Sequence, residues 1–173
     1  PGVLTDVNGF VPTNKGLEAA PTPTSVGIAA LAAACRGSAL VRNLSATNSL
    51  YAGTSTKLYK AGATTWTDVS GAATFALGLD DRWSFAQYGN DTLAATITNK
   101  IMKATTGNFA DIAAAPKAQI VLSVLGFAVA LHTNEGTFGD QQDRWWCSAY
   151  LDNTDWTPAV ATQCTTGRVV EGN

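Results

Sequence analysis

The strongest constraint on the fold is a pattern of lysines, aromatics and acids that recurs at one fixed distance. The stretch from Thr56 to Ser70 starts with a strand-like run and ends with an aromatic, an acid and an aliphatic residue. The same types return 43 residues later. The matched pairs are Lys57 with Lys100, Lys60 with Lys103, Trp66 with Phe109, Asp68 with Asp111, and Val69 with Ile112. A fixed period of this size indicates a repeat architecture.

A third, looser copy surrounds Trp145, Trp146 and Trp156, and it predicts the same local structure. Each copy reads as three short strands separated by turns. The first strands are predicted at residues 38–46, 83–88 and 119–125, the second at 50–54, 93–98 and 127–133, and the third at 58–61, 101–104 and 145–150. A unit of about 40–45 residues with three or four antiparallel strands is typical of a β-propeller blade. A β-sandwich with evenly spaced hairpins is the alternative.

The length of 173 residues suggests one domain and holds three to four such units. We predict units at about residues 38–80, 81–118 and 119–160, within a mostly β, propeller-like domain of residues 27–173. Closed propellers usually have about four to eight blades. The chain is therefore expected to be an incomplete or truncated propeller that continues beyond its last residue. A start without methionine favours a fragment, although a processed N-terminus is the alternative.

The segments before the first copy lack a clear periodic pattern. Residues 1–26 contain four prolines and three glycines, which predict an extended N-terminal arm without regular structure. Residues 27–35 are rich in alanine and are expected to form a strand-like lead into the first unit, with one helical turn as the alternative.

Three segments between the predicted strands carry further expectations. Residues 74–77 read as a short edge strand. The apolar segment 118–131 has the length of a buried helix, but Gly126 near its centre and its valines favour two strands joined by a tight turn. Residues 133–144 form the longest polar stretch and are expected to be a surface loop, the usual place for binding on a repeat scaffold.

Composition narrows the choice of partners. Charged residues make up only 14%, while alanine and threonine reach 29 and 23 copies. A surface of this kind favours packing against other chains, although ordinary secreted β-proteins are also rich in threonine. The net charge is −2 and no run of lysine or arginine occurs, so the footprint of a nucleic-acid-binding surface is missing.

The three cysteines, Cys35, Cys147 and Cys164, have no C-x-x-C spacing, which argues against a disulfide framework and a zinc site. Three buried free thiols made in a reducing cytoplasm are the simplest interpretation. No apolar run reaches the length of about 20 residues that a membrane span needs, and no signal peptide opens the chain.

Candidate catalytic groups are few. His132 is the only histidine, and no G-x-S-x-G motif accompanies it, so a catalytic role is disfavoured. Acid pairs could cleave glycosides or hold calcium, but we interpret them as turn residues that bond the backbone. The pairs are Asp80 with Asp81, Asp140 with Asp143, and Asp152 with Asp155. We expect no enzyme activity, no catalytic residue, no metal and no cofactor.

The repeated aromatics Trp66, Phe109 and Trp156 are expected to pack between adjacent sheets. Stacking on a sugar is the functional alternative. Asp68 and Asp111, at the next repeated position, are expected to bond nearby turns.

Several motifs, taken in order, resemble virion proteins of tailed bacteriophages over about residues 27–173. They are YAGT at 51–54, TKLY at 56–59, WTDVS at 66–70, RWSFAQYG at 82–89, APKA at 115–118, DRWWCS at 143–148 and DW at 155–156. Members of this family are longer than the present chain.

The resemblance implies a tail nozzle or tail-tube protein of a short-tailed phage. Such proteins carry propeller domains and form rings, commonly hexamers, next to portal and adaptor proteins. The ring would retain packaged DNA and conduct it through the lumen without specific binding. The implied location is the virion, assembled in the host cytoplasm.

Two alternative functions stay open. An extracellular glycan-binding or sialidase-like propeller is suggested faintly by residues 62–66, although the acid of the corresponding turn is missing. A host-receptor-binding tail tip protein would use residues 133–144 as its contact loop.

Overall fold

The computed structural model describes residues 10–19 and 27–169. Within these ranges the chain is built from strands and turns, so the prediction of a mostly β protein is confirmed. The described residues contain no helix, and hence none that is long and apolar enough to cross a membrane. The strands form a two-stranded, a four-stranded and an eight-stranded antiparallel sheet, and none of the three is closed.

The first two strands form a hairpin where the sequence predicted no regular structure. Strand β1 (Phe10–Thr13) pairs with β2 (Gly16–Ala19). The prediction is therefore wrong for these residues, because proline is tolerated in an edge strand. The rest of the predicted arm lies outside the described residues.

The other twelve strands form three consecutive four-stranded meanders, in which each strand pairs with the next along the chain. The first meander contains β3 (Gly37–Arg42), β4 (Asn48–Gly53), β5 (Leu58–Ala61) and β6 (Trp66–Asp68). The second contains β7 (Ser84–Tyr88), β8 (Asp91–Thr96), β9 (Asn99–Ala104) and β10 (Ala110–Asp111). The third contains β11 (Lys117–Val124), β12 (Phe127–Glu135), β13 (Gly139–Cys147) and β14 (Thr165–Arg168). One residue pair, Lys117 with Lys100, joins the second and third meanders into the eight-stranded sheet.

The tight turn predicted inside the apolar segment 118–131 is confirmed. Val124 pairs with Phe127 across Leu125 and Gly126, whose φ angles are 48° and 89°. Two successive positive φ values match the twist of the flanking strands, as in a type I′ hairpin turn. A buried helix is thereby excluded for this segment.

Three other predictions are wrong. Residues 133–144 do not form a long loop, because β12 continues to Glu135 and β13 begins at Gly139. Residues 27–35 and 74–77 contain no strand. Phe75 and Leu77 are nevertheless buried, since this connection fills the core beside the first meander.

Two buried clusters hold the meanders together, one on each face of the second meander. The first cluster combines Tyr51 and Leu58 of the first meander with Ala94 of the second. The second cluster combines Leu93 of the second meander with Ala130 of the third. Because neighbouring residues in a strand point to opposite faces, Leu93 and Ala94 enter different clusters. The second meander is therefore covered by a sheet on both sides.

Candidate functional site

The third meander presents an apolar face that no other described part of the chain covers. Val121, Ala128 and Ala130 point into the second cluster, so the alternate residues of β11 and β12 point the other way. These residues form three cross-strand pairs, Ile120 with Leu131, Leu122 with Val129, and Val124 with Phe127. We call these six side chains the outer face.

The outer face is both apolar and accessible. Ile120, Leu122 and Val124 are 42%, 43% and 45% exposed, and their partners on β12 are partly buried. Trp145 on β13 lies opposite Leu131 and extends the surface. Its indole packs on Gly167, where a Cβ would approach the ring to 2.8 Å. Clustered apolar residues of this kind mark an interaction site more often than isolated ones do.

A groove of about 730 Å³ lies at one end of the outer face. Its apolar wall is formed by Ile120 and Leu131, and His132 and Arg168 lie at its polar side. His132 has a φ of 50° and sits at a register shift between β12 and β13. A β-bulge inserts an extra residue into one strand and so redirects a side chain. The sequence pattern does not predict this bulge.

His132 is held by two side chains, which limits what it can do chemically. Its Nδ1 lies 2.5 Å from Gln119 Oε1, and its Nε2 lies 2.9 Å from Asp140 Oδ1. Each ring nitrogen therefore faces a side-chain oxygen within hydrogen-bonding distance. A serine or cysteine nucleophile would need one of these nitrogens as its base, so the arrangement does not form a catalytic triad.

The charged side chains that line the groove are held by neighbouring groups. Arg168 Nε donates to Asp143 Oδ2 at 2.7 Å, and this bond holds the pKa of Asp143 below its usual value. Arg144 stacks on Phe138, with its guanidinium carbon 3.5 Å from the ring centroid, and donates to Gln141 Oε1 at 2.7 Å. The Arg168–Asp143 bond ties β14 to β13, and the contacts of Arg144 hold the end of the β12–β13 hairpin.

The acid pairs fall into two groups. Asp81, Asp152 and Asp155 accept bonds from backbone N–H groups two or three residues away, as expected for turns. Asp140 and Asp143 instead lie within β13, so their assignment to a turn is wrong. Among the residues that the structure describes, no group of three or more His, Cys, Asp or Glu side chains is placed to hold a metal ion.

The repeated aromatics have two different environments. Phe109 and Trp156 are 1% and 2% exposed and belong to the first and second clusters, as predicted for packing between sheets. Trp66 is only partly buried, and its Nε1 donates to the carbonyl of Ala29 at 2.8 Å. It holds the alanine-rich segment and does not pack between the first two meanders.

The repeated acid behaves as predicted in the first copy. Asp68 accepts a bond from the Ser70 N–H at 3.0 Å and pairs with Lys57 at 2.6 Å. In the second copy, Lys100, which corresponds to Lys57, donates a hydrogen bond from its Nζ to the carbonyl oxygen of Ala113.

The cysteines are free, but the prediction that all three are buried is wrong. Cys35 is exposed, Cys147 is partly buried and Cys164 is buried. Burial raises the pKa of Cys164 to about 11, with smaller contributions from Cys147 and Asp155.

No protein-family model matches the chain. A search of curated proteins also finds no match. The outer face is thus identified by its geometry alone. The sequence offered one signal for it, the alternation of apolar residues in 118–131 with alanines at 128 and 130, which a two-faced strand pair would produce.

Proposed function

We propose that this chain is a structural protein of a short-tailed bacteriophage virion, a propeller-like part of the tail nozzle or tube ring that retains and conducts DNA. The observation that carries the proposal is the uncovered outer face. A sheet with one apolar face against its neighbour and another left open is suited to a larger assembly of sheets.

The blade interpretation has support from equivalent contacts in the first two meanders. Val69 N–H donates to the Leu58 carbonyl at 2.9 Å, and Ile112 N–H donates to the Ile101 carbonyl at the same distance. These two bonds are 43 residues apart in the sequence. Four-stranded meanders stacked face to face are the arrangement of propeller blades.

A structural role also agrees with the chemistry of the groove. His132 is occupied on both ring nitrogens, and the neighbouring acid Asp143 is paired with Arg168. Clear turnover of a fluorogenic sialoside would contradict a non-enzymatic role.

If the protein is a passive conduit for DNA, it should bind DNA only weakly. Each cationic contact with a phosphate adds affinity, and the chain carries a net charge of −2. We therefore expect no appreciable binding of a fluorescein-labelled duplex in fluorescence anisotropy at physiological salt. Sub-micromolar affinity there would contradict the conduit.

The location is tested directly by electron microscopy of virions. Particles labelled with an antibody to this chain should carry the label at the tail. Label confined to the capsid, or its absence from particles whose host lysate contains the protein, would overturn the proposal.

A further inference from the structure

A second cavity lies where the second and third meanders join. Lys100 on β9 and Lys117 on β11 form the residue pair that links these two meanders into one sheet. Both lysines line a cavity of about 290 Å³. Its other walls are residues 113–116, which follow β10, residues 134–136, where β12 ends, and the side chain of Trp146 on β13. We call this space the junction cavity.

The two lysines of the junction cavity have no carboxylate partner. Among the described residues, neither Lys100 nor Lys117 forms an ion pair. They lie directly opposite each other in an antiparallel pair, where like charges are destabilising. Lys100 Nζ donates to the Ala113 carbonyl, which uses one of the three donors of an ammonium group. An anion bound between the two lysines would offset their repulsion.

The wall of the junction cavity also contains a donor without an acceptor. Trp146 Nε1 is buried and has no hydrogen-bond partner within the part of the chain that the structure describes. Buried N–H groups are nearly always paired, so an unpaired one calls for an explanation such as a bound ion. Asn134 lies opposite Lys117 on β12 and brings a side-chain amide to the same cavity. The cavity is therefore rich in groups that donate hydrogen bonds.

One acid lines the junction cavity, and the backbone holds it. Thr137 N–H donates to Glu135 Oε2 at 2.7 Å, and Phe138 N–H donates to Glu135 Oε1 at 2.8 Å. Two lysines and one glutamate leave an excess of one positive charge around the cavity. The groove beside the outer face differs in this respect, because Arg168 there is paired with Asp143.

We propose that the junction cavity binds a small oxyanion of the size of inorganic phosphate. Lys100 and Lys117 donate charge-assisted hydrogen bonds to its oxygens, and Trp146 Nε1 donates a third bond. The bound oxyanion holds the second meander against the third, so binding stabilises the folded protein. The cavity takes in a free oxyanion but not a DNA duplex, whose phosphates are each joined to two sugars. This inference goes beyond the proposed function and does not rest on it.

Two-dimensional NMR of the whole nitrogen-15-labelled protein tests the site through the indole N–H signal of Trp146. Loss of one indole signal in Trp146→Phe assigns it. Sodium phosphate at pH 7 should move this signal along a saturating curve and should raise the melting temperature over the same concentration range. Sodium chloride of equal ionic strength should leave the signal in place. An indole signal that phosphate moves no further than chloride does would overturn the proposal.

Substitution of the lysines tests which groups bind the oxyanion. Lys100→Met and Lys117→Met keep the aliphatic part of the side chain and remove the charge, so each should weaken phosphate binding roughly tenfold. Lys57→Met is the matched control, because Lys57 occupies the equivalent repeat position to Lys100 but pairs with Asp68. It should bind phosphate like the wild type. Equal losses in all three variants would show that binding follows the net charge of the protein, and would overturn the proposal.

Loss of binding in these variants should not come from unfolding. Each substitution removes one charge from a like-charged pair, so neither Lys100→Met nor Lys117→Met should lower the melting temperature in the absence of phosphate. The two variants test the site independently, because their lysines lie on different meanders.

A DNA duplex at the same concentration of phosphate groups distinguishes the two sources of such an oxyanion. The duplex should leave the Trp146 indole signal in place. A shift with the duplex and none with inorganic phosphate would overturn the proposal, and it would also contradict a passive conduit. Phosphate binding by a protein that labels no virions would reject only the proposed function.

Discussion

Asn153 donates its side-chain amide to the carboxylate of Asp91 at 2.8 Å across 62 residues of sequence. Asn153 is 4% exposed, and its main-chain carbonyl accepts a hydrogen bond from Trp156 Nε1 at 2.9 Å. Asp91 also accepts from the Thr105 hydroxyl at 2.5 Å and lies 3.4 Å from Lys103 Nζ. This polar network joins the second meander to the turn that follows the long hairpin of the third.

Replacing Asp91 with alanine should destabilise the protein. The substitution leaves the buried Asn153 amide without its acceptor, which costs about 1–3 kcal/mol of unfolding free energy. Urea denaturation followed by tryptophan fluorescence measures the change. Asp111→Ala is the control, since Asp111 is exposed at the end of the second meander. This substitution should change the unfolding free energy by no more than about 0.5 kcal/mol. Equal effects of the two substitutions would contradict the role of the network.

The same carboxylate should make stability depend on pH. Burial works to raise the pKa of Asp91, but the bonds from Thr105 and Asn153 and the charge of Lys103 outweigh it, and the pKa is lowered from 3.8. A carboxylate whose pKa is lower in the folded state stabilises the protein at pH values above its unfolded-state pKa. This stabilisation is lost as the pH falls through its folded-state pKa. The stability difference between the wild type and Asp91→Asn should therefore shrink as pH falls from 6 to 2. A constant difference would contradict the shift.

Local sequence patterns predicted several of the strands well. The tight turn around Gly126 and strand β5 were predicted from the local sequence, although Leu125 belongs to the turn and not to the strand. Short strands such as β10, which has two residues, were missed because they contain too few residues for any period to show. Residues 133–144 were misassigned because polar side chains on a solvent-facing hairpin look like loop residues.

The site was less predictable than the fold. The bulge at His132 depends on the pairing of two strands, and a single sequence does not encode that register locally. The exposure of Cys35 and the bond from Trp66 to Ala29 depend on how residues 27–35 lie against the first meander. Such contacts between distant residues arise from the fold and are invisible to composition or spacing.

Leu125→Asn should stabilise the protein. Leu125 is 90% exposed and has a φ of 48°, a left-handed conformation that costs an ordinary residue roughly 1–2 kcal/mol and that asparagine adopts readily. We expect the melting temperature to rise by a few degrees. Leu44→Asn is the control, because Leu44 is 78% exposed without a positive φ. If the melting temperature of the control rose by a similar amount, the loss of an exposed apolar side chain, and not the backbone conformation, would explain the effect.

Gly53→Ala should be strongly destabilising, because a Cβ there would overlap the indole ring of Trp83. The ring cannot retreat easily, since Trp83 is 5% exposed and its Nε1 donates to the Thr54 carbonyl at 2.8 Å. Overpacking of this kind costs about 1–3 kcal/mol or more. Gly107→Ala is the matched control, where a Cβ meets nothing within 4 Å. Chemical denaturation should show a clearly lower unfolding free energy for Gly53→Ala than for Gly107→Ala. Equal unfolding free energies would contradict the close contact between Gly53 and Trp83.

Asp68 should titrate at unusually low pH. The bond from Lys57 and those from the side chain and backbone of Ser70 lower its pKa to about 2. Carboxyl chemical shifts in NMR should show this midpoint in the wild type and a higher one in Lys57→Met. The Lys57 and Asp68 side chains are 51% and 42% exposed, so we expect little change in stability. An unchanged midpoint in the variant would show that Ser70 alone sets the pKa.

The thiols should react in a fixed order with a disulfide reagent at pH 8. Cys35 is exposed and should react first. Cys164 is buried, its Sγ donates to the Cys147 carbonyl at 3.1 Å, and its pKa is raised to about 11. It stays protonated at pH 8, and the thiolate is the reactive form, so it should react only when the protein unfolds. Cys35→Ser should remove the fast phase of the absorbance change, and urea should release the slow one. Rapid reaction of Cys164 in the folded protein would contradict its burial against the Cys147 carbonyl.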